Sequence, residues 1–173
     1  GESVTLNYRY VFGETQAPVL DLDPDGSTGA AARNVNSSYA ENDGAIAIVD
    51  TDATIFDGDS TNLTGLTVQI TNDLDGAAES LSADTTGTSI VATAYNSTTG
   101  VLSLSGADTV ANYRQVLRTI SYTNTSETPD TTTRQINFST TDGTFTSNTA
   151  RAFVSVAATN DLPVINSDGG ADS

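Results

Sequence analysis

Along most of the chain, apolar residues alternate with Thr, Ser and Asn in short runs, and Gly, Asp or Asn break the runs. A period of two with β-branched residues and turn formers between runs is the pattern of β-strands. The spacing predicts strands at 4–11, 18–22, 45–49, 63–71, 89–94, 101–105, 119–124, 134–140 and 148–157. In 63–71 the alternation is clean, with Leu66, Val68 and Ile70 on one face. "STTG", residues 97–100, reads as a hairpin turn between two such runs. One stretch breaks the pattern: in "DTVANYRQVLRT" Val110, Tyr113 and Leu117 follow helical spacing. It predicts a short helix or helical turn near 109–117, with Asp108 placed as its N-cap. Many short strands with almost no helix predict an all-β, antiparallel sandwich.

The two ends share a pattern. A strand, a loop and Pro-Val occur in "VTLNYRYVFGETQAPVL" and again in "VSVAATNDLPVI", about a domain apart. This is the mark of a tandem array cut with its linkers. The expected organisation is an N-terminal strand and linker at 1–16, a sandwich at 17–164, and a linker or the start of a further repeat at 165–173.

Composition narrows the chemistry. The chain has 173 residues and a net charge of −16, with 22 acids against 6 basic residues, all of them Arg. Such a chain is repelled by phosphate backbones and anionic surfaces, so neither nucleic acid nor membrane is an expected partner. No run of 18 apolar residues suggests membrane insertion. Without Cys or His there is no thiol nucleophile, no Ser-His pair and no typical zinc site. Oxygen donors remain, and they suit hard cations such as Ca²⁺. Acidity can also serve solubility alone in a saline habitat. The absence of Cys fits a secreted or cell-surface bacterial protein that relies on metal or packing. Paired carboxylates could in principle cleave glycosides, but no Trp is available as a sugar platform, and no enzymatic activity is expected.

The acids gather in particular motifs. "AENDGAIAIV" carries Glu41, "FDGDSTNLTGLTVQI" carries Asp57 and Asp59, and "NSTTGVLSLSGAD" ends on Asp108. "STTDGTF" carries Asp142, and "TNDLPVI" carries Asn160 and Asp161. In this order the motifs resemble the cadherin domain, in the form found in bacterial cadherin-like repeats of large adhesins and matrix proteins. The opening "GESVTLNYRY" resembles the final strands of a VCBS-type repeat. The resemblance implies an Ig-like Greek-key sandwich with Ca²⁺ at its junctions with neighbouring repeats. Glu41, Asp108, Asn160 and Asp161 would face the C-terminal junction, and Asp57, Asp59 and Asp142 the N-terminal one. Asp108 therefore has two readings, helix cap or ligand. The sequence departs from the pattern at Ala158, where the family has Asp, and at Leu162, where it has Asn.

Asp21, Asp23 and Asp25 in "DLDPDG" match the first half of an EF-hand-type loop, but position twelve is Ala32 rather than Glu. They could form a local Ca²⁺ site or a solvated Asp-Pro turn. Five N-X-S/T sequons begin at Asn36, Asn62, Asn96, Asn124 and Asn137, and in an Asn/Thr-rich chain they read as compositional.

The function expected from all this is a calcium-stabilised structural or adhesive repeat that gives an extracellular protein reach and stiffness. Its partners would be neighbouring repeats or copies of itself. One alternative is a fibre subunit that donates residues 4–11 as a strand, with Val4, Leu6, Tyr8 and Tyr10 on one face. Another is a calcium-dependent module that binds polysaccharide.

Overall fold

The computed structural model describes residues 15–160. The strand expected at 4–11, the tail at 165–173 and Asp161 lie outside the described residues. Eleven strands follow in order: β1 (Val19–Asp21), β2 (Val35–Ala40), β3 (Ile46–Ala47), β4 (Thr54–Phe56), β5 (Asn62–Ile70), β6 (Glu79–Ser82), β7 (Val91–Ala92), β8 (Val101–Thr109), β9 (Ser121–Asn124), β10 (Arg134–Thr141) and β11 (Ala150–Ala157). One helix, α1 (Val110–Leu117), separates β8 from β9. The described residues are all-β apart from this helix and one 3₁₀ turn, Gly76–Ala78, as the alternating pattern predicts.

A six-stranded sheet in the order β2-β11-β10-β5-β8-β7 forms one layer of a sandwich. The three-stranded sheet β3-β9-β6, the β1-β4 pair and α1 supply the residues packed against it. Period-two burial builds the core: Leu66, Val68 and Ile70 of β5 lie inside, with Ile136 and Phe138 of β10 and Ala152, Val154 and Val156 of β11. Facing apolar rows remove each other from water, which is the main source of stability in a sandwich. Tyr39 and Tyr122 meet edge to face with ring centroids 5.4 Å apart, inside this core.

All strand pairs but one are antiparallel; β2 runs parallel to β11, with Ala152 opposite Val35 and Ala157 opposite Ala40. Three strands were not expected from the pattern. β2 ("VNSSYA") and β6 ("ESLS") carry too few apolar residues to stand out, and β4 has only three residues. The helix differs from its expectation in one detail: its N-cap is Thr109, not Asp108. Thr109 has extended backbone, and its hydroxyl accepts the Asn112 N–H at 3.1 Å. Asp108 sits one residue earlier and takes the Ser89 and Thr109 N–H groups, each at 2.7 Å, with the Asn112 amide. Tyr113, Val116 and Leu117 point into the core.

The turn from β7 into β8 depends on one glycine. Gly100 has φ of +69°, and a Cβ there would strike the Ile70 carbonyl oxygen. That oxygen belongs to backbone, so it cannot swing aside as a side chain would. Gly100→Ala should lower stability by about 1–3 kcal/mol. Chemical denaturation tests this, and an unchanged midpoint would show that the turn relaxes freely.

Candidate metal centre

Strand pairing brings two acidic loops together. β1 pairs with β4, with Leu20 opposite Ile55, so the loop after β1 meets the loop before β4. The Asp50 N–H donates to the Leu22 carbonyl at 3.2 Å, and the Leu22 N–H to Arg33 O at 3.1 Å. Two arginines hold the second loop from the helix side. Arg118 donates to the carbonyls of Ala53 (2.9 Å) and Asp52 (3.3 Å), and Arg114 to that of Ile55 (2.7 Å).

The first loop folds around its own carboxylates, because a short Asp side chain reaches the backbone a few residues on. Asp23 is buried and accepts the N–H groups of Ser27 (3.0 Å) and Thr28 (3.1 Å). Asp25 accepts the Ser27 N–H at 2.9 Å. Cross-links then join the loops: the Ser27 hydroxyl donates to Asp50 (3.1 Å), and the Asp25 N–H to Asp52 Oδ2 (3.3 Å).

The result is four carboxylates, Asp23, Asp25, Asp50 and Asp52, each offering one oxygen within 4.8 Å of all the others. Among the described residues no ion pair reaches any of these four. Asp52 Oδ1 is buried and has no hydrogen-bond partner among the described residues. Such a cluster could hold a metal ion, and its all-oxygen donors select a hard one.

The carboxyls are driven in opposite directions. The Thr28 hydroxyl and nearby N–H groups hold Asp23 below the ordinary carboxylate range, and the Asp52 N–H does the same for Asp50. Burial, then the negative charges of Asp25 and Asp50, push Asp52 above it. The lowered pair supports folding above the ordinary range, and that support is lost as pH falls through their folded values. Asp52 has the reverse sign: its contribution is present below the ordinary range and lost as pH rises through the raised value. Without a cation, Asp52→Asn should therefore stabilise the domain at pH 7, as a melting curve in chelator would show. A lower melting temperature would mean that the ionised Asp52 is not a strained charge.

The other candidate residues lie elsewhere. Asp21 points to Arg33, 3.7 Å away, and is not among the four. Asp57 accepts the Asp59 and Ser60 N–H groups, and Asp59 accepts that of Gln16 at 3.1 Å, while Asp57 Oδ2 is buried without a partner among the described residues. Asp142 closes the turn after β10 by accepting the Thr144 and Phe145 N–H groups. β5 begins beside Asp57 and Asp59, and its pairing sets Leu63 opposite Asp108 and Gly65 opposite Thr141. Asp108 thus lies at the end of the sheet that carries Asp57, Asp59 and Asp142, not at the Glu41 end to which the resemblance assigns it. The register of β8 on β5 puts it there.

Glu41 is at the opposite end, where its N–H donates to the Ala157 carbonyl at 2.8 Å. Its Oε2 accepts the Thr159 N–H at 2.7 Å, and its buried Oε1 has no partner among the described residues. Asn160, next along the chain, is exposed.

Asp50 and Asp52 are the members that the sequence reading did not select. The signal was present in two D-X-D pairs, 23/25 and 50/52, each beside a short strand. Joining them required the β1–β4 pairing, and β4 was not legible.

No helix among the described residues is long and apolar enough to cross a membrane. No protein-family model and no solved structure matches the chain. The chain is similar to halomucin of Haloquadratum walsbyi (strain DSM 16790 / HBSQ001), at 34% identity over 112 residues. That match covers 60% of this chain and 1% of halomucin, so the likeness concerns a very small part of a very long protein.

Proposed function

We propose that the chain is a calcium-stabilised structural domain of a long extracellular protein. The observation that carries this reading is the Asp23–Asp25–Asp50–Asp52 cluster, in which two loops deliver four carboxylates to one point with no cation opposite. Ca²⁺ takes six to eight oxygen ligands, and this set offers four carboxylates toward that number. An ion there ties the loop after β1 to the loop before β4, fixing two loops that otherwise repel. The likeness to a very long protein named a mucin supports an extracellular, structural setting rather than a catalytic one.

The ends of the sandwich extend the proposal to junctions between neighbouring repeats, as the cadherin-like motifs imply. Buried oxygens without partners among the described residues lie at both ends, Glu41 Oε1 at one and Asp57 Oδ2 at the other. Each suits an ion completed by residues of an adjoining unit.

Thermal melting tests the proposal. Millimolar Ca²⁺ should raise the melting temperature well beyond NaCl of matched ionic strength. Equal shifts would reduce the acids to general charge screening.

A further inference from the structure

The five sequons share the N-X-S/T pattern and differ sharply in the fold. An N-glycan acceptor needs an exposed asparagine whose Nδ2 is free, with an accessible Ser or Thr hydroxyl two residues on. Asn124 is buried, and its Nδ2 donates to Asp75 at 2.7 Å. The Asn36 Nδ2 donates to the Thr28 carbonyl at 3.2 Å. Asn137 lies mid-strand in β10 and accepts from the Arg151 guanidinium. Asn62 is exposed, but the hydroxyl of its sequon, on Thr64, donates to the Thr141 carbonyl.

Asn96 differs from all four. It is exposed and opens the hairpin turn between β7 and β8, where its N–H donates to Val101 O at 2.9 Å. Its Oδ1 accepts the N–H groups of Thr98 (3.0 Å) and Thr99 (3.2 Å), which fixes the side chain. The Nδ2 group has no partner among the described residues, and the exposed Thr98 hydroxyl has none either. Surface turns of this kind are where added groups cost the fold least.

We propose that Asn96 is an N-glycosylation site, modified by an oligosaccharide carried on a lipid phosphate or pyrophosphate. Nδ2 attacks the anomeric carbon of the first sugar, and a C–N bond replaces the bond from that carbon to the phosphate oxygen. The lipid phosphate leaves with the bonding electrons, and one Nδ2 proton passes to a base of the transferase. No atom is oxidised or reduced. The proposal shares with the calcium reading only its extracellular setting.

The test uses the folded full chain with an oligosaccharyltransferase, its lipid-linked oligosaccharide and a reference acceptor peptide in the same reaction. Peptide mapping by mass spectrometry should find the glycan on the Asn96 peptide and leave Asn124 bare. Asn96→Gln and Thr98→Ala should each abolish that addition, and Thr98→Ala, which keeps the Asn96 turn bonds, should melt as the unmodified protein does. An unmodified Asn96 peptide beside a modified reference peptide would overturn the proposal. So would preferential modification of Asn36, Asn124 or Asn137. Calcium binding is not read in this experiment, so its outcome is independent of the metal centre.

Discussion

Arg134→Met should destabilise the domain by about 3–5 kcal/mol, the usual cost of removing one partner from a buried ion pair. Arg134 and Glu79 are both buried, and the guanidinium Nε bonds Glu79 Oε1. Nη2 pairs with Asp75 at 2.6 Å, and Nη1 donates to the carbonyls of Thr132 and Asp130. Tyr122 donates its hydroxyl to Glu79 at 2.8 Å, and Asn124 its amide to Asp75 at 2.7 Å. One cation thereby joins β6, β9, β10 and the loop after β5.

Burial and the Asp73 carboxyl push Glu79 above the ordinary range, while Arg134 and Tyr122 oppose them. Ionised Glu79 therefore works against folding as pH rises through that raised value, and Arg134 limits the cost. Methionine fills part of the space but leaves the Glu79 and Asp75 carboxylates without their cation. A melting temperature lower by about 10 °C is expected for a domain of this size. Adding Glu79→Gln to Arg134→Met should restore part of the loss, because the buried charge goes with it. A single variant that melts with the unmodified chain would show that water reaches Glu79 and the network is not sealed.

The alternating core strands were legible because each half-buried strand must alternate: β5, β10 and β11 follow directly from their apolar spacing. The helix was legible from Val110, Tyr113 and Leu117, although its cap fell to Thr109, whose hydroxyl reaches the N–H that Asp108 leaves. Arg134 was not legible as a core residue. Sequence pattern marks an arginine as exposed, and only β6 and β9 together reveal the Glu79 and Tyr122 that receive it. The candidate metal site was half legible for the same reason. Asp23 and Asp25 stood out as a motif, but the other two carboxylates, Asp50 and Asp52, come from a loop brought near by a three-residue strand. Long-range pairing decides such sites, and local pattern does not contain it.

The second large effect concerns calcium. A ligand that binds only the folded state stabilises it by RT ln(1 + [L]/Kd), about 2.7 kcal/mol at a hundredfold excess over Kd. Part of that affinity comes from Asp52, which burial and then the charges of Asp25 and Asp50 push upward and which a cation would relieve. Asp50→Asn removes one charge and keeps most of the side-chain shape, so the calcium-dependent rise in melting temperature should largely disappear. Asp142→Asn, away from the cluster, should leave the rise intact. If both variants lose it equally, the ion is held elsewhere, or the effect belongs to overall charge. Calcium affinity should also fall as pH drops into the range where Asp52 takes up its proton, because the ion and the proton compete for the same carboxylate.

The most direct measurement is a crystal structure of the domain grown in millimolar CaCl₂. The account predicts one ion bound by oxygens of Asp23, Asp25, Asp50 and Asp52 at about 2.3–2.6 Å. An ordered cluster holding only water in those crystals would contradict it.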